Sequence, residues 1–225
     1  MIKSARYVPS PRSLSAIKLS VFFLCLVPAA QLLHGLLTHT LGPNPIEAIT
    51  LATGIWTLRM LLITLAITPL RRLTRLHWLL RLRRMLGLFA FGWATAHFIT
   101  WLWLDRFFDL REIAYDILDR PFITVGFSAF LLMIPLAATS TNSAVRRLGG
   151  RRWLALHQLV YLIAILGVVH FWWQVKADTL EPTIYAIILA VLLGLRLIWR
   201  QRDRRRQRVI QAGKQRFRGI PIVLK

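Results

Sequence analysis

Cysteine is almost absent from this chain: Cys25 is the only one in 225 residues. That excludes an internal disulfide framework, a cysteine-ligated zinc or iron–sulfur centre, and the Cys-x-x-Cys-His attachment of a c-type haem. Acidic residues are scarce too, nine against 30 Lys and Arg, for a net charge of +21. Such an excess ordinarily suggests a nucleic-acid partner. Here the bases are confined to short stretches between long charge-free ones, so no nucleic-acid role is read from them. There is no glycine-rich nucleotide motif, no P-loop and no stretch polar enough for a soluble domain. Any cytoplasmic source of electrons or energy is therefore a separate molecule.

What the chain has instead is long apolar runs. Apolar residues make up 56% of it and the mean hydropathy is +0.54. Crossing roughly 30 Å of hydrocarbon takes about 20 helical residues, and six windows qualify: 19–37, about 53–70, 85–104, 121 to about 139, 153–175 and 182–199. Alternating barrel strands of about ten residues are absent, so the spans are helices. Arg59 lies early in the second window, and Arg196 is near enough the end of the sixth to snorkel. The expected fold is all-α, a six-helix bundle at 19–199 with a basic N-terminus at 1–18 and a basic tail at 200–225. The first span has Lys18 before it and a weak cleavage site at Pro28-Ala29-Ala30. Its apolar run continues beyond the length of a signal-peptide core, so it is read as a retained helix.

The connections set the orientation. Lys3, Arg6, Arg12 and Lys18 precede the first span, six arginines from Arg71 to Arg84 join the second to the third, and Arg146, Arg147, Arg151 and Arg152 join the fourth to the fifth. With the tail, one side holds 24 bases and one acid, Asp203; the other holds four bases and the remaining eight acids. The positive-inside rule puts both termini of a multi-pass membrane protein in the cytoplasm. The tail is expected to lie on anionic lipid. On the outer side Asp105, Asp109, Glu112, Asp116 and Asp119 stand against Arg106, Arg111 and Arg120. This net-acidic rim either steers a partner or is a solvated loop.

Six histidines remain. His34 and His39 lie at the outer end of the first span and His77 in the inner loop, all at wet boundaries. His97, His157 and His170 interrupt otherwise apolar spans, and ionisable residues placed there mark function by default. His97 is seven residues from the outer end of the third span and His170 five from that of the fifth. At about 1.5 Å per residue they share one height in the outer half, while His157 is about 6 Å inside the cytoplasmic edge. Two imidazoles at matched depth suit the axial positions of a b-type haem. Phe89, Phe91, Trp93, Phe98, Tyr161 and Phe171 would surround it, with Gly87, Gly92, Ala94 and Ala96 leaving room; Trp172 and Trp173 read as interfacial. Zinc would want further ligands in the same layer. A proton or metal-ion path and purely structural histidines are the other readings.

Several motifs resemble one family. Arg83-Arg84-Met85-Leu86-Gly87-Leu88 with Trp93-Ala94-Thr95-Ala96-His97 looks like its third span. Ile67-Thr68-Pro69-Leu70, Arg120-Pro121-Phe122, Thr139-Ser140-Thr141 and Leu156-His157-Gln158-Leu159-Val160-Tyr161-Leu162 follow suit. The chain is similar, from about Gly42 to Val191, to the haem-binding membrane subunits of periplasmic protein-methionine-sulfoxide reductase systems (the MsrQ/YedZ family). These belong to the ferric-reductase-like transmembrane proteins. The resemblance implies b-type haem and FMN as cofactors, with His97, His157 and His170 as haem-associated residues. It also implies an electron-transfer subunit rather than a catalytic one. Electrons would come from quinol in the bilayer or a cytoplasmic flavin reductase, and would go to a periplasmic molybdenum-dependent reductase that repairs oxidised methionines.

One spacing strains that picture. Paired histidines of the wider group stand fourteen residues apart on one helix, but His157 and His170 are thirteen apart, about 140° off a shared face on an ideal helix. Gly167 would permit a local irregularity, but one bulge does not restore a shared face. Fourteen residues before His97 stands Arg83, which cannot ligate; Met85 and His77 are weak substitutes. One outer haem follows from the residues, and a second, inner one does not. His157 is left to a second haem, a propionate, flavin or quinone. The competing functions are a stand-alone transmembrane metal reductase or quinol-linked cytochrome b, and a proton-coupled transporter, whose expected broken-helix repeats are not evident.

Overall fold

A computed structural model describes residues 9–218, with side chains to residue 211. Lys3, Arg6 and the last seven residues, including Lys225, lie outside the described residues. All regular structure among the described residues is helical: α1 (Pro11–Leu37), α2 (Pro45–Thr74), α3 (Arg83–Ile99), α4 (Leu110–Asp119), α5 (Pro121–Ala138), α6 (Asn142–Leu148), α7 (Gly150–His157), α8 (Leu159–Gln174) and α9 (Leu180–Arg218). A 3-10 turn at His77–Arg81 links α2 to α3, and α3 continues as a π-helical segment, Thr100–Asp105. Six helices are long and apolar enough to cross a membrane, with α7 and α8 together forming the fifth.

Local chemistry sets where helices begin. Ser10 accepts a hydrogen bond from Ser13 N, and Asn44 accepts one from Glu47 N, each just ahead of a proline at the first helical position,. Inside the bilayer, Thr57, Thr64 and Thr95 donate their hydroxyls to the carbonyls four residues back. That satisfies these three hydroxyls within their own helix.

The tightest pairings are α2 with α3 and α5 with α8. Between them lies the core, with Leu65, Ala90, Ala164 and Ile163 essentially inaccessible. Large apolar side chains such as Phe23, Leu24 and Leu37 on α1 point outward, as lipid contact requires. Both arginines inside the spans are partnered by tyrosines on neighbouring helices. Arg59 of α2 donates to the Tyr185 hydroxyl at 2.8 Å and lies over Trp56. Arg196 of α9 donates to the Tyr161 hydroxyl at 2.8 Å and to the Leu65 carbonyl. Arg196 therefore turns into the bundle, where the sequence suggested snorkelling.

The sixth span does not stop at Trp199. α9 runs 39 residues, about 58 Å at 1.5 Å per residue, so much of the basic tail continues the helix. Asp203 pairs with Arg72 at 2.5 Å, and Arg72 lies over Trp199, which fastens this extension to α2.

On the outer side, Phe107 and Phe108 take positive φ at a sharp turn, and Asp109 caps α4 by accepting from Arg111 N and Glu112 N. Asp116 of α4 is fully buried between Arg106, 2.5 Å away, and Arg120, 3.1 Å away. Of the five acids read as a rim, one is thus a buried clamp and another a helix cap. The exposed charge there falls to Asp105, Asp109, Glu112 and Asp119.

Candidate functional site

α3 and α8 bring His97 and His170 together in the outer half of the bundle. Their ring centroids are 6.2 Å apart and their planes are inclined at 72°. Both line a cavity of about 330 Å³ enclosed by α2, α3, α5 and α8, within the size range of small-ligand sites. The walls are mostly apolar: Phe98 stacks on Phe127 and Phe130, and Phe171 closes another side. Arg106, Arg120 and Gln174 stand at the outer mouth. A second cavity next to it, lined by Asn44, Glu47 and Asp105, shares Thr50 and Gln174 with the first.

Each ring is held by a backbone carbonyl of the opposite helix. His97 Nδ1 donates to the Thr50 carbonyl at 2.9 Å, with the Thr53 hydroxyl 3.4 Å away. His170 Nδ1 donates to the Phe122 carbonyl at 2.6 Å. A carbonyl can only accept, so the proton sits on Nδ1 in both rings and the lone pair is on Nε2. A metal-ligating imidazole is oriented this way, with its remote nitrogen anchored. The spacing fits as well. Metal–imidazole bonds of roughly 2.0–2.1 Å, with each ring centre about 1.15 Å beyond its ligating nitrogen, put two imidazole centroids on either side of one metal about 6.3–6.5 Å apart, close to the 6.2 Å found here. Among the described residues no group of three or more His, Cys, Asp or Glu side chains converges; the imidazoles meet as a pair.

His157 is elsewhere. It ends α7, stacks on Trp153 at 3.9 Å and directs Nδ1 to the Trp153 carbonyl at 3.1 Å. Its Nε2 is buried without a partner. Arg83 and Arg84 of α3 lie nearby, so arginine occupies the neighbourhood in which a second imidazole would be sought. The irregularity in this span falls at Gln158, where α7 gives way to α8 and Gln158 N approaches both the Leu154 and Ala155 carbonyls; it does not fall at Gly167. His34, His39 and His77 are exposed and apart from the cavity.

Of the small residues expected to make room, only Ala94 lines the cavity. Gly54, Gly126 and Gly167 do that work. Of the expected aromatics, Trp93 stacks on Trp56, Phe89 meets Phe22 edge-on, and Tyr161 serves Arg196. Phe127, Phe130 and Trp101, not singled out from the sequence, take their places. The available signal was the register of Gly126, Phe127 and Phe130 on one face of the fourth span.

Residues 53–168 match the family described as Ferric reductase like transmembrane component. The chain is 57% identical over 197 residues to the protein-methionine-sulfoxide reductase heme-binding subunit MsrQ of Azospira oryzae, covering 87% of this chain and 84% of that protein. To the subunit of the same name from Herminiimonas arsenicoxydans it is 58% identical over 193 residues, covering 85% and 88%. To that of Xanthomonas campestris pv. campestris it is 54% identical over 169 residues, covering 75% and 77%. The chain belongs to the MsrQ family. As an MsrQ-family protein with six membrane-crossing helices, it is a multi-pass membrane protein. The stretch matching the ferric-reductase description includes His97 and His157 and ends two residues before His170.

Proposed function

We propose that this protein is the membrane electron-transfer subunit of a methionine-sulfoxide reductase system, binding one b-type haem between His97 and His170. The observation that carries this reading is the facing pair of imidazoles, each with Nδ1 anchored and Nε2 free, at axial spacing in an apolar cavity. A b-type haem bound there would supply a one-electron carrier. The residues at each end of the site match what such a group presents. His97 and His170 offer two neutral nitrogen ligands, and Phe98, Phe127 and Phe130 offer flat apolar walls. Arg106 and Arg120 stand at the outer mouth, both paired with Asp116 and with Asp105 alongside; they would meet the carboxylates of the macrocycle.

Both termini are assigned to the cytoplasm of a bacterial inner membrane, from the charge distribution. Electrons would then enter from quinol or a cytoplasmic flavin reductase and leave on the outer side to a periplasmic, molybdenum-dependent catalytic subunit. His97 and His170 lie about 8–10 Å from the outer ends of their spans by helical rise, close to a docked redox centre. His157, half-buried at the inner end with an unpartnered Nε2, is assigned to the entry side, as a haem-associated or flavin-binding residue. FMN rests on family likeness alone. The test is a visible spectrum of the detergent-purified protein from haem-replete cells. A sharp Soret band that shifts on dithionite reduction is expected, and a colourless preparation would overturn the reading.

A further inference from the structure

We propose that Gly54 and Gly126 are the positioning residues of the two axial imidazoles, each keeping one helix carbonyl open to a histidine ring; this rests on the haem reading above. The same arrangement occurs twice, on two different helices. His97 bonds the carbonyl of Thr50, four residues before Gly54, and His170 bonds the carbonyl of Phe122, four residues before Gly126. In an α-helix the carbonyl of residue n already accepts from the N–H of residue n+4. At Phe122 the imidazole is therefore a second donor to a carbonyl with two lone pairs; at Thr50 it shares the carbonyl with the Thr53 hydroxyl as well, 2.9 Å away. A helical side chain leans towards the N-terminus and covers the turn below its own Cα, so the side chain at n+4 guards that carbonyl. At both positions the side chain is missing.

The clearances show what a methyl group would do. A Cβ at Gly126 would stand 2.6 Å from His170 Nδ1, 2.7 Å from Cε1 and 3.0 Å from Cγ; one at Gly54 would stand 3.0 Å from His97 Cε1 and 3.2 Å from Nδ1. Neither glycine has positive φ, and glycine weakens a helix interior relative to alanine, so backbone conformation does not call for them. Gly92, by contrast, would meet nothing within 4 Å. A ring pushed off its carbonyl loses the bond that fixes both its tautomer and the direction of Nε2. The tighter Gly126 makes the His170 side the more sensitive.

The test compares Gly126→Ala, Gly54→Ala and the control Gly92→Ala, each purified as the full chain in detergent from haem-replete cells. Haem-to-protein ratio and low-spin absorbance are read. Gly126→Ala is expected to lose the low-spin signature and retain haem roughly 10- to 100-fold more weakly, the range for lost partners of metal-ligating histidines. Gly54→Ala should show a partial loss and Gly92→Ala none. Free imidazole, untethered to α8, should restore the six-coordinate spectrum of Gly126→Ala on reconstitution with haem, which a misfolded protein would not allow. Wild-type haem content and spectrum in both Gly126→Ala and Gly54→Ala would overturn the proposal, as would an equal loss in Gly92→Ala. If Gly126→Ala is not recovered folded, the milder Gly54→Ala decides by the same readouts. A wild-type protein without haem would sink the underlying reading before any glycine variant is compared.

Discussion

Asp116 has no exposed surface, and one carboxylate oxygen lies 2.5 Å from Arg106 Nε while the other lies 3.1 Å from Arg120 Nε. Arg106 follows the π-helical end of α3 and Arg120 immediately precedes α5, so this one side chain pins α4 across the outer mouth of the cavity. Removing one partner of a fully buried ion pair typically costs about 3–5 kcal/mol; here both guanidiniums left behind keep some contact with solvent, Arg120 most, so the cost is smaller,. Asp116→Ala should lower the thermal midpoint of the purified protein markedly, with Asp116→Asn recovering part of it. An unchanged midpoint in Asp116→Ala would show that α4 is held by its apolar contacts alone.

The histidines should separate by spectrum. His97→Ala and His170→Ala are each expected to abolish the low-spin haem signal, because either change leaves one axial position empty. His157→Ala should keep that signal and slow turnover with the physiological donor, since its ring lies outside the cavity. Loss of all haem in His157→Ala alone, with the other two variants unaffected, would contradict this division.

The Arg196–Tyr161 bond makes a third prediction. Tyr161→Phe leaves a half-buried guanidinium with the Leu65 carbonyl as its remaining described partner. The expected cost is about 1–3 kcal/mol, read as a lower thermal midpoint with the haem spectrum unchanged. A spectrum that moves while stability does not would place Tyr161 at a cofactor instead.

Docking of a periplasmic partner can now be tested with the right acids. Asp109, Glu112 and Asp119 are exposed, but Asp109 also caps α4, and Asp116 is buried; Glu112 and Asp119 can therefore be changed without unseating the helix. Glu112→Gln combined with Asp119→Asn should slow haem reoxidation by the isolated partner and weaken its salt dependence. An unchanged rate and salt slope, with haem content intact, would leave this rim without a docking role.

Much of this molecule is legible in its sequence, for a physical reason. Charge-free runs locate the spans because hydrocarbon excludes charge, and counting residues from their ends puts His97 and His170 at one height. What the sequence conceals depends on the neighbours of a residue. Asp116 reads as a solvated loop acid because nothing local announces that Arg106 and Arg120 will close over it. Gly54 and Gly126 read as ordinary packing glycines, since their use appears only when a histidine from another helix reaches the carbonyl four residues back. The turn at Gln158 has no glycine or proline to mark it, and Arg196 turns inward because Tyr161 and the Leu65 carbonyl are there to receive it.

The central claim is that His97 and His170 together hold one haem iron, and electron paramagnetic resonance of the oxidised wild-type protein tests it most directly. Two neutral imidazoles should give a low-spin ferric signal, and ring planes inclined at 72° should make it the strongly anisotropic type of near-perpendicular axial ligands. A high-spin signal would contradict the account; the rhombic low-spin signal of parallel rings would keep both ligands and contradict only the ring angle.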